Sequence, residues 1–130
     1  MKLKECGISL LSRTTVDMKT AAKTALYTCP AGKKAVVTMV VVKRPTASLA
    51  GGTVYNFGIG ALSANGDWGV VAGYSLAAMT GSTHQWKIRN DFGGVIEIEL
   101  QAGDIFGIYP ETGSTLTANA TVEVWGYEAD

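Results

Sequence analysis

The chain has 130 residues, with eleven Lys and Arg against eleven Asp and Glu, and only 17% of its residues are charged. A chain of this length forms one domain. A formal charge of zero argues against a nucleic-acid or anionic-membrane partner, because both need a basic excess. No apolar run approaches the ~20 residues that span a bilayer. The low charge instead favours a surface that another protein covers.

The chain begins with a segment, residues 1–20, that alternates poorly, and we interpret it as an N-terminal arm or a first strand. A single β-sandwich domain is predicted over residues 21–130. The apolar residues of the segment are Leu3, Ile8, Leu10, Leu11, Val16 and Met18. They are too many for a solvated tail, so we expect the arm to cover apolar surface elsewhere. Deletion of residues 1–20 is expected to leave the sandwich folded and to abolish assembly.

Sixteen glycines and three prolines separate short β-rich runs, which is typical of an all-β sandwich or barrel. Only Val16–Ala25 and Ser75–Met79 have weak helical patterns. The first confident strand is Thr24–Cys29, and the turn Pro30–Gly32 leads into a second, Ala35–Lys43.

The strand predicted over Ala35–Lys43 is apolar at both its odd and its even positions. A strand of an open sandwich has one polar face, so we expect the N-terminal arm or a neighbouring subunit to cover the second face. Strict alternation places Val37, Met39 and Val41 together on one face.

Six more strands are predicted in the rest of the chain. They are Thr53–Ile59, Val70–Leu76, His84–Arg89, Val95–Leu100, Ile105–Tyr109 and Ala120–Tyr127. Within Val95–Leu100, Ile96, Ile98 and Leu100 are predicted to point inward, with Glu97 and Glu99 in solvent. The turn Gln101–Asp104 weakly resembles the earlier turn around Pro30, because each contains Ala-Gly and precedes a strand. The predicted fold is an all-β, antiparallel, two-sheet β-sandwich.

The sequence offers little catalytic or metal-binding chemistry. His84 is the only histidine, whereas zinc sites need three or four ligands, and no Gly-x-Ser-x-Gly elbow accompanies it. Cys6 and Cys29 are too few for a disulfide framework, and no signal segment directs the chain out of the cytoplasm in which it is made. We expect no catalytic residue, no metal, no cofactor and no enzymatic activity.

One aromatic residue, Trp68, follows Asn65-Gly66-Asp67 in a predicted loop. It has two interpretations: a lid over one end of the sandwich, or an exposed platform that stacks on a sugar or anchors an interface.

Three stretches resemble known proteins. Leu26–Val37, with its Tyr-Thr-Cys-Pro-Ala-Gly run before a long strand, resembles the opening of small jelly-roll proteins of tailed phages and prophages. Leu100–Ile108 looks like the Gly-Asp corner of jelly rolls, and Ala120–Tyr127 is similar to their last strand. The resemblance implies an eight-strand, jelly-roll-like virion structural protein, such as a capsid decoration (cement) protein, which is usually trimeric.

The function expected from the sequence is therefore a non-enzymatic phage capsid decoration protein. Its expected partners are itself, as a homotrimer, and the major capsid protein or another virion protein, so its location is the virion. The interface candidates are Leu3, Ile8, Leu10, Leu11, Val37, Met39 and Val41. The alternative is a carbohydrate- or receptor-binding module that uses Trp68, and a more distant one is a small enzyme on a cupin-like barrel.

Overall fold

The computed structural model describes residues 8–60, 71–88 and 98–130. All the regular secondary structure within these ranges is β-strand. The strands are β1 (Ser9–Asp17), β2 (Thr24–Thr28), β3 (Lys34–Lys43), β4 (Val54–Ile59), β5 (Val71–Tyr74), β6 (Gln85–Ile88), β7 (Ile98–Leu100), β8 (Ile105–Thr112) and β9 (Asn119–Ala129). Neither weak helical pattern forms a helix. Val16–Ala25 is divided between β1, a turn and β2, and its threonines favour extended backbone.

The strands form two antiparallel sheets. The first has the order β1-β9-β3-β6, with β7 also paired to β3, and the second has the order β2-β8-β4-β5. Because β6 pairs with Val40–Lys43 and β7 with Ala35–Val37, the two occupy one edge of β3 as parts of an interrupted strand. Counted as one, they give the four-plus-four order of a jelly roll. The predicted β-sandwich is confirmed, and the described residues contain nine separate strands.

The core lies between the sheets and is filled by side chains from both inner faces. Its largest fully buried members include Tyr55, Phe57, Phe106, Leu100 and Ile108. The Tyr55 hydroxyl donates a hydrogen bond of 2.8 Å to the Met18 carbonyl, so its polar atom is satisfied in the interior. Burial raises the pKa of Tyr55 to about 12.

The N-terminal segment is a strand from Ser9 to Asp17, in agreement with the second of its two interpretations. This strand pairs with β9 at the edge of the first sheet, so the described part of the segment does not lie over the outer face of β3. Val16 and Met18 lie in the core. The structure argues against the expectation that the sandwich folds without residues 1–20, because the deletion would remove an edge strand and two core side chains.

A β-bulge in β3 changes which of its residues face the core. The register with β9 shifts between Val37 and Met39, and the Thr38 hydroxyl donates to the Trp125 carbonyl at 3.2 Å. One extra residue moves the following side chains to the opposite face. The inward set is Ala35, Val37, Val40 and Val42, and the outward set is Val36, Met39 and Val41. The prediction that Val37 shares a face with Met39 is wrong.

The two ends of the sandwich differ in their connections. At one, the turn end, the segments 29–33 and 101–104 lie side by side: the Cys29 amide donates to the Asp104 carbonyl and the Gly103 amide to the Cys29 carbonyl, both at 2.9 Å. The two turns that resemble each other in sequence are therefore neighbours in the fold. At the other, the loop end, the connections are residues 18–23, 44–53, 75–84 and 113–118.

Candidate functional site: the outer face of the first sheet

The outer face of the first sheet is apolar at its turn end. Strand register places Leu10, Trp125 and Met39 in one cross-strand row. Tyr127 and Val36 form the next row toward the turn end, and Ile8 immediately precedes Ser9, the partner of Gly126. We call these six side chains, Ile8, Leu10, Val36, Met39, Trp125 and Tyr127, the apolar patch.

The side chains of the apolar patch are accessible to solvent. Ile8 is 63% exposed, and the other five are half-buried by their neighbours in the sheet. The patch continues into a groove of about 440 Å³ whose lining includes Val36, Tyr127, Ala129 and Glu99. Contiguous exposed apolar surface of this kind marks interaction sites in soluble proteins.

A charged row borders the apolar patch. Arg13, Glu123, Val41 and Lys87 lie opposite one another across β1, β9, β3 and β6. Glu123 is only 3% exposed, and its Oε2 accepts from Arg13 Nε at 2.8 Å and lies 3.0 Å from Lys43 Nζ. Trp125 Nε1 donates to the other carboxylate oxygen at 3.3 Å. The buried carboxylate therefore joins three strands and one side chain of the patch.

The electrostatics of Glu123 follow from these contacts. Burial alone would raise the pKa of its carboxyl, but hydrogen bonds from Lys43, Arg13 and Trp125 outweigh that effect and hold the pKa below its ordinary value. A charged carboxylate on an outer sheet face needs such partners, because an unpaired buried charge is strongly destabilising. Arg13 keeps 57% of its side chain exposed, so part of the guanidinium remains available to a partner.

The predicted interface residues divide into three groups. Ile8, Leu10 and Met39 belong to the apolar patch, and Val41 adjoins it, although only 5% of Val41 is exposed. Leu11 sits at a bulge in β1 and packs against the core. Val37 is fully buried and faces inward, so it is removed from the interface. Leu3 lies outside the described residues.

Sequence reasoning missed three members of the patch and the charged row. The bulge in β3 and the pairing of β3 with β9 place three further residues on the outer face: Val36, Trp125 and Tyr127. Nothing in the sequence distinguishes Glu123 from an ordinary outward residue of a strand. The only sequence signal was the alternation of Glu123, Trp125 and Tyr127 with Val122 and Val124.

Two other candidates, His84 and Cys29, lie within the described residues. His84 Nδ1 accepts from the amides of Thr80 and Gly81, each at 3.2 Å, so the ring stabilises its own loop. The Cys29 thiol is buried, and burial together with the Glu128 and Asp104 carboxylates raises its pKa, which disfavours the reactive thiolate.

Trp68, Cys6, Ile96 and Glu97 lie outside the described ranges. Within residues 8–60, 71–88 and 98–130, no three His, Cys, Asp or Glu side chains are grouped to hold a metal ion. The same ranges contain no helix that is long and apolar enough to cross a membrane.

Comparison of the chain with protein-family models, with curated proteins and with solved structures found no match. The fold and the chemistry of the surface therefore carry the functional argument.

Proposed function

We propose that the protein is a non-enzymatic structural component of a phage virion that associates with itself, as a homotrimer, and binds the major capsid protein as a decoration protein. The observation that carries the proposal is the apolar patch beside a charged row. An apolar centre with a polar rim is the usual anatomy of a protein–protein interface, and aromatic side chains such as Trp125 and Tyr127 are enriched there.

The size of the face supports a protein partner. Four strand positions spaced about 4.8 Å apart, over strands of about 9 residues, give a face of roughly 600 Å². A standard interface takes about 800 Å² from each partner, so one folded surface would cover the whole face. The sequence resemblance to virion jelly rolls favours a further copy of the chain as that surface, and the capsid lattice would then bind elsewhere on the protein.

The arrangement also suggests how the interface is built. The apolar patch would provide most of the free energy of association, because each buried apolar side chain contributes roughly 1.5–3 kcal/mol. The row containing Arg13 and Glu123 would set orientation, since charged pairs at an interface rim contribute specificity more than affinity. Neither task requires a catalytic group or a cofactor.

Self-association is tested by light scattering coupled to size-exclusion chromatography, for the wild type and for Tyr127→Glu. The expected mass is about 41 kDa, three times the 13.6 kDa of the chain, and the substitution should shift it toward the monomer because it places a charge in the apolar patch. The matched control is Tyr109→Glu, which alters a half-buried tyrosine on the outer face of the second sheet. A monomeric wild type, or equal effects of both substitutions, would contradict this interface.

Capsid binding needs its own experiment. Empty shells assembled from the major capsid protein of the phage or prophage that encodes the chain are mixed with it and sedimented. The chain should co-sediment to saturation with shells and remain in the supernatant without them. Failure to bind shells would refute the decoration role. The carbohydrate-binding alternative, which rests on Trp68, is tested separately on a glycan array.

A further inference from the structure

Among the residues that the structure describes, the two ends of the sandwich carry opposite net charge, although the whole chain is neutral. At the loop end lie four cationic side chains and two anionic ones, a net charge of +2: Lys19, Lys23, Lys43 and Arg44 against Asp17 and Glu111. At the turn end lie two cationic side chains and four anionic ones, a net charge of −2: Lys33 and Lys34 against Glu99, Asp104, Glu128 and Asp130. The charged row of Arg13, Glu123 and Lys87 lies between the two groups, and Glu123 also pairs with Lys43 of the loop end at 3.0 Å.

The loop end also displays a large apolar side chain on a firmly held loop. Leu116 is 55% exposed, yet its own carbonyl accepts from the buried Ser114 hydroxyl at 2.7 Å. The Ser114 amide donates to the Met18 carbonyl at 3.0 Å, and the Thr115 amide to the Ala50 carbonyl at 3.0 Å. Because these contacts fix the loop on both sides, burying Leu116 against a partner would cost little conformational entropy.

Two cationic residues, Lys19 and Arg44, belong to the loops on either side of the loop that contains Leu116. Gly113 packs tightly against the backbone of Lys19. On the other side, Thr46 and Asn119 exchange hydrogen bonds of 2.8 and 2.9 Å, which hold the loop that begins at Arg44 beside the loop that contains Leu116. The side chains of Lys19 and Arg44 are both exposed.

Arg44 has a backbone conformation that is unfavourable for its residue type. Its φ of 51° lies in the left-handed region, where glycine incurs no steric cost and a side chain does. The Arg44 amide donates to the His84 carbonyl at 3.1 Å, so the surrounding loops maintain the conformation. Strain of this kind persists only where the surrounding structure imposes it, and it is concentrated at functional sites.

We infer that the loop end is a second docking surface, with Leu116 as its apolar anchor and Lys19 and Arg44 as its cationic rim, and that its partner is an acidic protein surface containing an apolar pocket. The inference rests on the proposed function in one respect: within the virion, this surface would face the capsid lattice and leave the apolar patch to contacts between copies. A trimer whose axis follows the strands would present three loop ends on one side, and multivalency would strengthen a weak contact.

The test uses the full chain and an immobilised acidic copolymer of glutamate and tyrosine, which supplies carboxylates and apolar groups without any capsid protein. The wild type should bind it, and binding should weaken as salt is raised, because exposed charges are screened. Arg44→Glu and Leu116→Asp should each weaken binding about tenfold or more, the loss expected for a central interface residue. Thermal unfolding of each variant verifies that it is folded.

The controls introduce the same kinds of change at the turn end, outside the apolar patch. Lys34→Glu reverses the charge of an exposed lysine, and Ala102→Asp adds a charge to an exposed apolar residue of the turn; both should bind the copolymer like the wild type. Absence of wild-type binding, equal losses in the controls, or tighter binding to duplex DNA than to the copolymer would overturn the inference. Copolymer binding without capsid binding would refute the decoration role and leave this docking surface intact.

Discussion

The backbones of β9 and β3 approach each other closely at Gly126. A Cβ atom built there would fall inside the van der Waals radius of the Val36 carbonyl oxygen, 2.9 Å from the Val36 carbonyl carbon and 3.1 Å from the Val37 Cα. All three are backbone atoms of the neighbouring strand, so no side chain can rotate away. Gly126→Ala should therefore force β9 and β3 apart beside the bulge.

The expected magnitude follows from the atoms involved. Overpacking of a well-packed interior costs about 1–3 kcal/mol, and we expect the upper end, about 3 kcal/mol, because a central strand pair must move. Urea unfolding followed by circular dichroism measures the effect. With an m-value of roughly 1.5 kcal/mol/M for a small domain, the midpoint should fall by about 2 M at equal protein concentration.

A substitution at a second glycine, Gly103, distinguishes the cost of steric crowding from the cost of backbone strain. Gly103 has a φ of 87°, and a Cβ there would meet no atom within 4 Å. Gly103→Ala should therefore cost only the left-handed conformation, about 1–2 kcal/mol. If Gly126→Ala costs no more than Gly103→Ala, the close approach of β9 to β3 is not as the structure describes it.

Three further predictions follow. Ile98→Ala should cost about 2 kcal/mol in urea unfolding, because Ile98 is buried but lies in a three-residue edge strand, whereas Glu99→Ala should cost under ~0.5 kcal/mol; equal costs would show that the register of β7 is wrong. Because the pKa of Glu123 is lowered in the folded state, its contribution to stability is present above pH 4.5, its ordinary pKa, and is lost as the pH falls; Glu123→Gln should flatten the acid limb of the stability–pH curve. Removal of residues 1–20 should abolish cooperative unfolding, while removal of residues 1–7 should preserve it, and a folded protein after the longer deletion would show that β1 is dispensable.

The strands of the sandwich were largely predictable from the sequence. Short β-branched runs between glycine- and proline-containing turns placed β2, β3, β4 and β9 to within two residues at either end, because alternation and turn chemistry are local properties. The same local reasoning suggested the turns around Pro30 and Gly103. The composition of β3 also predicted that both of its faces are apolar, and its outer face contributes to the proposed interaction surface.

Only the tertiary structure decided which side chains share that surface. The bulge at Thr38 places Val36 instead of Val37 on the outer face with Met39. Strict alternation of odd and even positions cannot reveal one inserted residue. The burial of Glu123 depends on Arg13, which is 110 residues away in the chain, and Lys43. The N-terminal strand likewise became part of the fold only through its pairing with the last strand. Sequence alone determined what each strand could bury, and non-local pairing determined which strands meet and which face is left in solvent.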